Sequence, residues 1–252
     1  MRLASAALPA VVMAASVMAA PLAAQTTPAP TSGGNMGGMM HDDPDKMVNG
    51  GLKVPGWQAR FDRPGAKPEQ VSFTRMGTGY HVTAGPAAIY YSAKDAASGA
   101  YTVAASFTQM KAPTHPEAYG LFAGGQNLQG AAPSYVYFIV RGDGKYMVKH
   151  RANASEVHTI VDWTASDAVK QAGADGKATN ALQIRVAADS VRFTANGTQV
   201  AAVARSEAGA MGGVAGIRVN HNLDVHVDGF AVSKGAAASA ARAKPAGKRR
   251  VA

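Results

Sequence analysis

The stretch "YVYFIVRGDGKYMVKHR", residues 135 to 151, decides the fold. Its first six residues are β-branched, aromatic or apolar, and after Arg141 the residues Gly142, Asp143 and Gly144 intervene before a second short run begins. Such a pattern is a β-hairpin, with Asp143-Gly144 as a pair suited to a tight two-residue turn. A two-residue turn there sets Gly142 opposite Lys145, Arg141 opposite Tyr146, Ile139 opposite Val148 and Tyr137 opposite His150. Alternate residues leave a strand on opposite faces, so this register sorts the side chains. Val136, Phe138, Val140 and Met147 form the core face, with Lys149 and Arg151 toward its open end. Tyr135, Tyr137, Ile139, Arg141, Tyr146, Val148 and His150 form the other, an aromatic and polar surface suited to stacking on a polar ligand. The Arg141-Gly142-Asp143 tripeptide matches an adhesion signal in letters only. Hairpin chemistry explains all three residues, because Arg141 belongs to a strand and Asp143 to the turn.

Outward from the hairpin, residues 56 to 234 repeat the same grammar. Short runs with two-residue alternation are broken by Gly, Asn, Asp or Pro every eight to twelve residues, and no window of eleven residues keeps a helical period. That is the pattern of an all-β sandwich or barrel. Asn196-Gly197, between "VRFTA" and "TQVAA", predicts a second hairpin with a type I′ turn. "TASDAVKQ", 164 to 171, is the one candidate for a helical turn, with Ser166 as its cap.

The ends of the chain have another character. Residues 1 to 24, "MRLASAALPAVVMAASVMAAPLAA", have the form of a signal peptide: one early cation, a weakly apolar stretch, then small residues. Pro9 and Pro21 and the short apolar length argue against a transmembrane segment. Residues 25 to 46 are rich in Pro, Gly, Ser and Thr and form a flexible leader, while residues 235 to 252 form a disordered basic tail. The expected organisation is signal peptide, leader, a β-sandwich domain at 47 to 234, and tail. The chain has no cysteine, which excludes disulfides, thiolate metal sites and a lipoprotein attachment thiol. The expected location is periplasmic or secreted.

The formal charge of +9 belongs mostly to the ends. Without Arg2 and the tail's Arg242, Lys244, Lys248, Arg249 and Arg250, there remain 19 cations against 16 acids. No specific nucleic-acid partner is expected from so small an excess. Weak, salt-sensitive contact of the tail with anionic polymer is the only partner that charge suggests.

Six pieces occur in one order: "YGLFAGG" at 119 to 125, the opening hairpin, "TNALQIRV" at 179 to 186, "VRFTANGTQV" at 191 to 200, "GGVAGIRV" at 212 to 219 and "VHVDGFAV" at 225 to 232. Together they resemble the concanavalin A-like, laminin-G-like jelly rolls of secreted bacterial proteins, closest to the 3-keto-disaccharide hydrolase-like domains. The resemblance implies a two-sheet antiparallel β-sandwich and relatives that bind or cleave glycans on a concave sheet. It also implies an Asp near the core aromatic of the last strand, here Asp228 and Phe230, with a structural turn role. The Glu-x-Asp-x-x-Glu motif of laminarinase-type glucanases is missing, for Glu69, Glu117, Glu156 and Glu207 have no Asp two residues on. Keto-sugar chemistry has no short motif to test and stays open.

Two sets of residues carry candidate chemistry. Tyr135, Tyr137, Arg141, Tyr146 and His150 are the expected ligand-binding face, taking a carbohydrate by ring stacking and paired Arg donors. Asp224, His226 and Asp228 alternate on one face of the last strand and could serve as an acid-base set or hold a cation. Their competing reading is a solvent-facing row of charge that discourages edge pairing. His150, His158 and His221 add scattered imidazoles, and Met36, Met39, Met40 and His41 lie in the leader. The histidines show no close zinc spacing, and the leader's methionines, though of a type suited to copper, stand in a flexible glycine-rich stretch, so no metal and no cofactor are expected. Asn153-Ala154-Ser155 and Asn196-Gly197-Thr198 match the glycosylation acceptor pattern, which an exported bacterial protein would leave unused. Nucleophile and phosphate-loop motifs are absent. The sequence thus leads to an exported, non-catalytic glycan-binding or glycan-associated protein. The alternatives are a sugar-active enzyme of the 3-keto-disaccharide type and a structural envelope-interaction protein.

Overall fold

Fifteen strands are divided between two sheets in the computed structural model, which describes residues 49–234. The stretches expected as signal peptide, leader with its methionines, and tail lie outside the described residues. In chain order the strands are β1 (Gly51–Leu52), β2 (Trp57–Phe61), β3 (Val71–Met76), β4 (Gly79–Ala84), β5 (Ala88–Ala97), β6 (Tyr101–Gln109), β7 (Ala118–Gln126) and β8 (Ser134–Arg141). They continue as β9 (Lys145–Arg151), β10 (Val157–Ala165), β11 (Ala178–Val186), β12 (Ser190–Ala195), β13 (Thr198–Ala204), β14 (Gly213–Val219) and β15 (Leu223–Lys234). An eight-stranded sheet runs β1-β3-β4-β15-β6-β11-β12-β13, and a seven-stranded sheet runs β10-β9-β8-β7-β14-β5-β2. All pairings are antiparallel except β1 on β3. The architecture is the all-β jelly-roll sandwich that the strand pattern predicts.

Alternation explains the eight-stranded sheet. In β6, Val103, Ala105 and Phe107 point into the sandwich while Thr102, Ala104, Ser106 and Thr108 point out. β11 repeats this with Leu182, Ile184 and Val186 inward. Aromatic pairs fasten the two sheets across the core: Phe73 stacks on Tyr90 with ring centroids 5.0 Å apart, Phe107 on Tyr119 at 5.6 Å, and Phe138 meets Phe193 at 5.5 Å. Such contacts add about 0.5–1.5 kcal/mol per pair beyond area burial.

The seven-stranded sheet is buried on both faces at its centre. β7 and most of β8 have no exposed position, consistent with their near-continuous apolar sequence. The outward side chains Ile89, Tyr91, Phe122, Tyr135, Tyr137, Ile139 and Met147 form a second apolar layer, with Leu128, Val157, Trp163 and Val214 packed against it.

Two local expectations meet different outcomes. Asn196 and Gly197 have φ of 50° and 84°, the paired positive values of a type I′ turn, and Ala195 stands opposite Thr198. The Asn196 side chain adds hydrogen bonds, donating to Ala168 O at 2.7 Å and accepting from Ala181 N at 2.9 Å. Ser166 O accepts from Val169 N at 2.9 Å, but the segment stops at one turn and forms no helix. The only α-helical turn among the described residues is Arg205–Ala208, after β13.

Candidate functional site

The opening hairpin turns through three residues rather than two. Arg141 stands opposite Lys145, and Gly144 N donates to Arg141 O at 3.1 Å with Gly144 alone at positive φ, 82°. Gly142 therefore belongs to the turn, and every pair in β9 moves by one residue: Tyr137 faces Lys149, not His150, and Phe138 faces Val148. A one-residue slip exchanges the faces of a strand. Tyr146, Val148 and His150 thus share the side of Val136, Phe138 and Val140, while Met147, Lys149 and Arg151 join Tyr135, Tyr137, Ile139 and Arg141. This corrects the expected ligand face: the structure brings Tyr135, Tyr137 and Arg141 together and sends Tyr146 and His150 to the other side.

Tyr146 packs its ring against Phe138, and its hydroxyl donates to Val200 O at 2.7 Å. His150 Nε2 lies 3.1 Å from Ser134 Oγ, with the His158 ring 5.9 Å away on β10. Burial, and then the neighbouring His158, lower the His150 pKa despite the opposing pull of Glu156.

The three residues that remain together do not form an open platform. Tyr135 and Tyr137 are 1 % and 6 % exposed. Arg218 Nη1 donates to Asp62 Oδ1 at 2.8 Å, Arg218 Cζ lies 5.1 Å from the Tyr137 ring centroid, and Arg151 Nη2 reaches the same Asp62 at 3.3 Å. Burial would raise the Asp62 pKa, but the charge and hydrogen bonds of Arg218, with help from Arg151 and Arg60, hold it below the ordinary carboxylate range. Arg141 lies over Trp163 at 4.2 Å, its Nε donates to Asp143 Oδ1 at 3.0 Å, and its Nη2 also contacts Asp143. The two charges of the Arg-Gly-Asp tripeptide thus pair with each other across the turn.

Asp224, His226 and Asp228 project together from the outer face of the eight-stranded sheet, as alternation requires. His81, directly opposite His226 on β4, joins them. His81 Nε2 lies 2.9 Å from Asp224 Oδ1, at ion-pair distance but outside hydrogen-bond alignment, and His226 Nε2 lies 3.2 Å from Asp228 Oδ2. His81 Nδ1, Asp224 Oδ1 and His226 Nδ1 are buried and make no hydrogen bond. Beside them a shallow groove of about 530 Å³ runs over the small residues Ala104, Ala181 and Gly229, walled by Ser106, Gln183, Thr194 and Asp228. Asp228 is 51 % exposed at its side chain, and it stands opposite Ser106 at the start of a bulge.

A larger cleft, about 700 Å³, is lined by Tyr91, Leu128, Gln129, Val214 and loop backbone. Its Gln129 amide already donates to the Tyr91 hydroxyl and, at 3.0 Å, to Gln58. That leaves it less hydrogen-bonding capacity than the groove.

The scattered imidazoles do not meet as a set. His150 and His158 form one pair, and His158 Nε2 lies 2.6 Å from Glu156 Oε1. His221 instead joins His115 and Glu117, a grouping the sequence reading missed. Glu117 Oε1 lies 3.1 Å from His115 Nε2 and 3.2 Å from His221 Nε2. The spacing His115-Pro116-Glu117 is a local sign of this cluster, but His221 arrives from the loop before β15.

No protein-family model matches the chain, and no curated protein sequence matches it. Among solved structures, the carbohydrate-binding module CBM66 from Bacillus subtilis is similar with a TM-score of 0.49 and 9% identity, over 73% of this chain and 98% of that one. Alginate lyase A1-II′, a member of polysaccharide lyase family 7, is similar with a TM-score of 0.44 and 15% identity, over 65% and 77% of the two chains. Sheep galectin-11 gives 0.39 and 11%, over 63% and 99%. At these values the likenesses carry no weight for function. The class is defined by the chain's own strand order and packing: an antiparallel, two-sheet jelly-roll sandwich.

Proposed function

We propose that this is an exported, non-catalytic glycan-binding protein that takes its saccharide on the outer face of the eight-stranded sheet. The observation that carries this reading is the groove over Ala104, Ala181 and Gly229. Its small-residue floor lets a flat ring approach the sheet, and Ser106, Gln183, Thr194 and Asp228 offer both donors and acceptors at its walls. The resemblance of the six sequence pieces to secreted sugar-active sandwiches supports the same reading. Calorimetry with neutral and uronate oligosaccharides tests it: the protein binds at least one, and Asp228→Ala with Gln183→Ala abolishes the heat. Binding that survives both substitutions would remove the groove from the account.

A second reading rests on the two imidazole–carboxylate pairs, His81–Asp224 and His226–Asp228. Such pairs can move protons, which suits a 3-keto-disaccharide-type enzyme abstracting a proton beside a keto group. Product formation from 3-keto-disaccharides, lost in Asp228→Asn and His226→Gln, would favour catalysis over binding.

A further inference from the structure

We infer that His115, Glu117 and His221 form a binding site for a divalent transition-metal ion of the zinc and cobalt kind, open on one side to a cleft. Three donor atoms converge: the two Nε2 atoms stand 3.1 and 3.2 Å from Glu117 Oε1, and the ligand atoms of all three residues lie within 4.8 Å of one another. Metal–ligand bonds of about 2.0–2.2 Å in a tetrahedral site place donor atoms roughly 3.3–3.5 Å apart, so small side-chain shifts would admit an ion. Two imidazoles and one carboxylate make a donor set suited to zinc, cobalt or iron with open coordination positions, and no thiolate is needed.

Charge supports the same conclusion. The Glu117 side chain is 7 % exposed, and the two histidines are its ion-pair partners. An isolated buried carboxylate is costly, and a divalent cation held by the three side chains would supply its countercharge.

The surroundings are those of a ligand site. Thr114 Oγ1 lies 3.2 Å from His115 Nδ1 and accepts from Asn222 Nδ2, which fixes the ring with Nε2 toward Glu117. His221 Nδ1 is buried and makes no hydrogen bond. His115 and Glu117 border a cleft of about 260 Å³ whose wall also includes Gln109, Gly142 and Asp143. Gln109 is 1 % exposed; its Nε2 donates to Gly176 O at 2.7 Å, but its buried Oε1 accepts nothing. That carbonyl is an unused acceptor on a residue of the cleft wall. The turn of the opening hairpin therefore borders this cleft.

The site is independent of the saccharide groove, so the two can be tested apart. Purified full-length protein, stripped with chelator and titrated with Co²⁺, is expected to bind one ion with visible absorption bands of low-symmetry, four- or five-coordinate cobalt. Zn²⁺ displaces it. His115→Ala with His221→Ala weakens binding at least about 100-fold, Glu117→Gln also weakens it, and Thr114→Ala costs about tenfold. A variant carrying Met36→Ala and His41→Ala binds normally, which separates the site from the leader. Failure to bind Co²⁺ or Zn²⁺, or binding that persists in the double variant, overturns the proposal. If the double variant does not fold, the wild-type protein decides the question. Co²⁺ must then broaden the imidazole proton resonances of His115 and His221 before those of His150 and His158, and the reverse order refutes the site.

Discussion

Arg151 stands directly opposite Tyr135, and its Nε donates to the Tyr135 hydroxyl at 3.0 Å. A two-residue hairpin turn would have placed these side chains on opposite faces. Their contact reports the three-residue turn and links β9 to the buried network of Asp62, Arg218 and Tyr137.

The turn itself makes the first prediction. Gly144 has φ of 82°, and an added Cβ would stand 2.9 Å from Gln171 Cγ. Gly144→Ala should therefore cost about 1–2 kcal/mol in urea unfolding. Gly142 has no positive φ, and its Cβ would meet Ala172 at 3.2 Å, so Gly142→Ala should cost less. Equal costs would contradict this turn geometry.

Tyr137 is a structural residue in this account. Tyr137→Ala should destabilise the fold by about 3–5 kcal/mol, the range for a buried aromatic. Saccharide affinity of the fraction that remains folded should be unchanged. Thermal unfolding measured beside calorimetry distinguishes this from a binding role, in which affinity would fall and stability would hold.

The Asp62–Arg218 pair predicts a response to acid. Because Asp62 titrates below the ordinary carboxylate range, its contribution is complete above the unfolded-state value of about 3.9 and is lost as pH falls through the lower folded value. Arg218→Met should cost about 3 kcal/mol at pH 7, since it leaves Asp62 half-buried without its main partner. Adding Asp62→Asn to that variant should recover part of the loss. Full additivity in urea titrations would show that the pair is not coupled.

At the alkaline end, burial pushes the Tyr101 and Tyr119 hydroxyls up to about 12, with Tyr90 raised further. The folded chain therefore holds protons that the unfolded chain gives up near pH 10, and stability should fall as pH rises from about 10 to about 12. Phenolate absorbance should show these tyrosines ionising only with unfolding. Early, reversible ionisation of all eight tyrosines would contradict their burial.

The fold was legible because its signals are local. The alternation of "TVAASFT" in β6, the double-sided burial of "VYFIV" in β8 and the Asn196-Gly197 turn each follow from a few adjacent residues. The candidate site was less legible. One residue of turn length decided whether Tyr146 and His150 joined Tyr137, and Asp143-Gly144 looks the same in a two-residue or three-residue turn. Asp224, His226 and Asp228 were found together because one strand carries them. The groove beside them needs Ala104, Ala181 and Gly229 from three strands, and the His115–Glu117–His221 cluster needs a loop far away in sequence. Pairing of distant strands brings those residues together, and no short pattern in the chain records it.

The central claim is that the groove beside Asp228 holds a saccharide. Titrating the wild-type protein and the Asp228→Ala and Gln183→Ala variants by calorimetry against an oligosaccharide panel tests it most directly. The account predicts saturable binding to at least one sugar, lost on either substitution with unfolding temperatures unchanged. Binding indifferent to both substitutions, or no binding across neutral and acidic sugars, would contradict it.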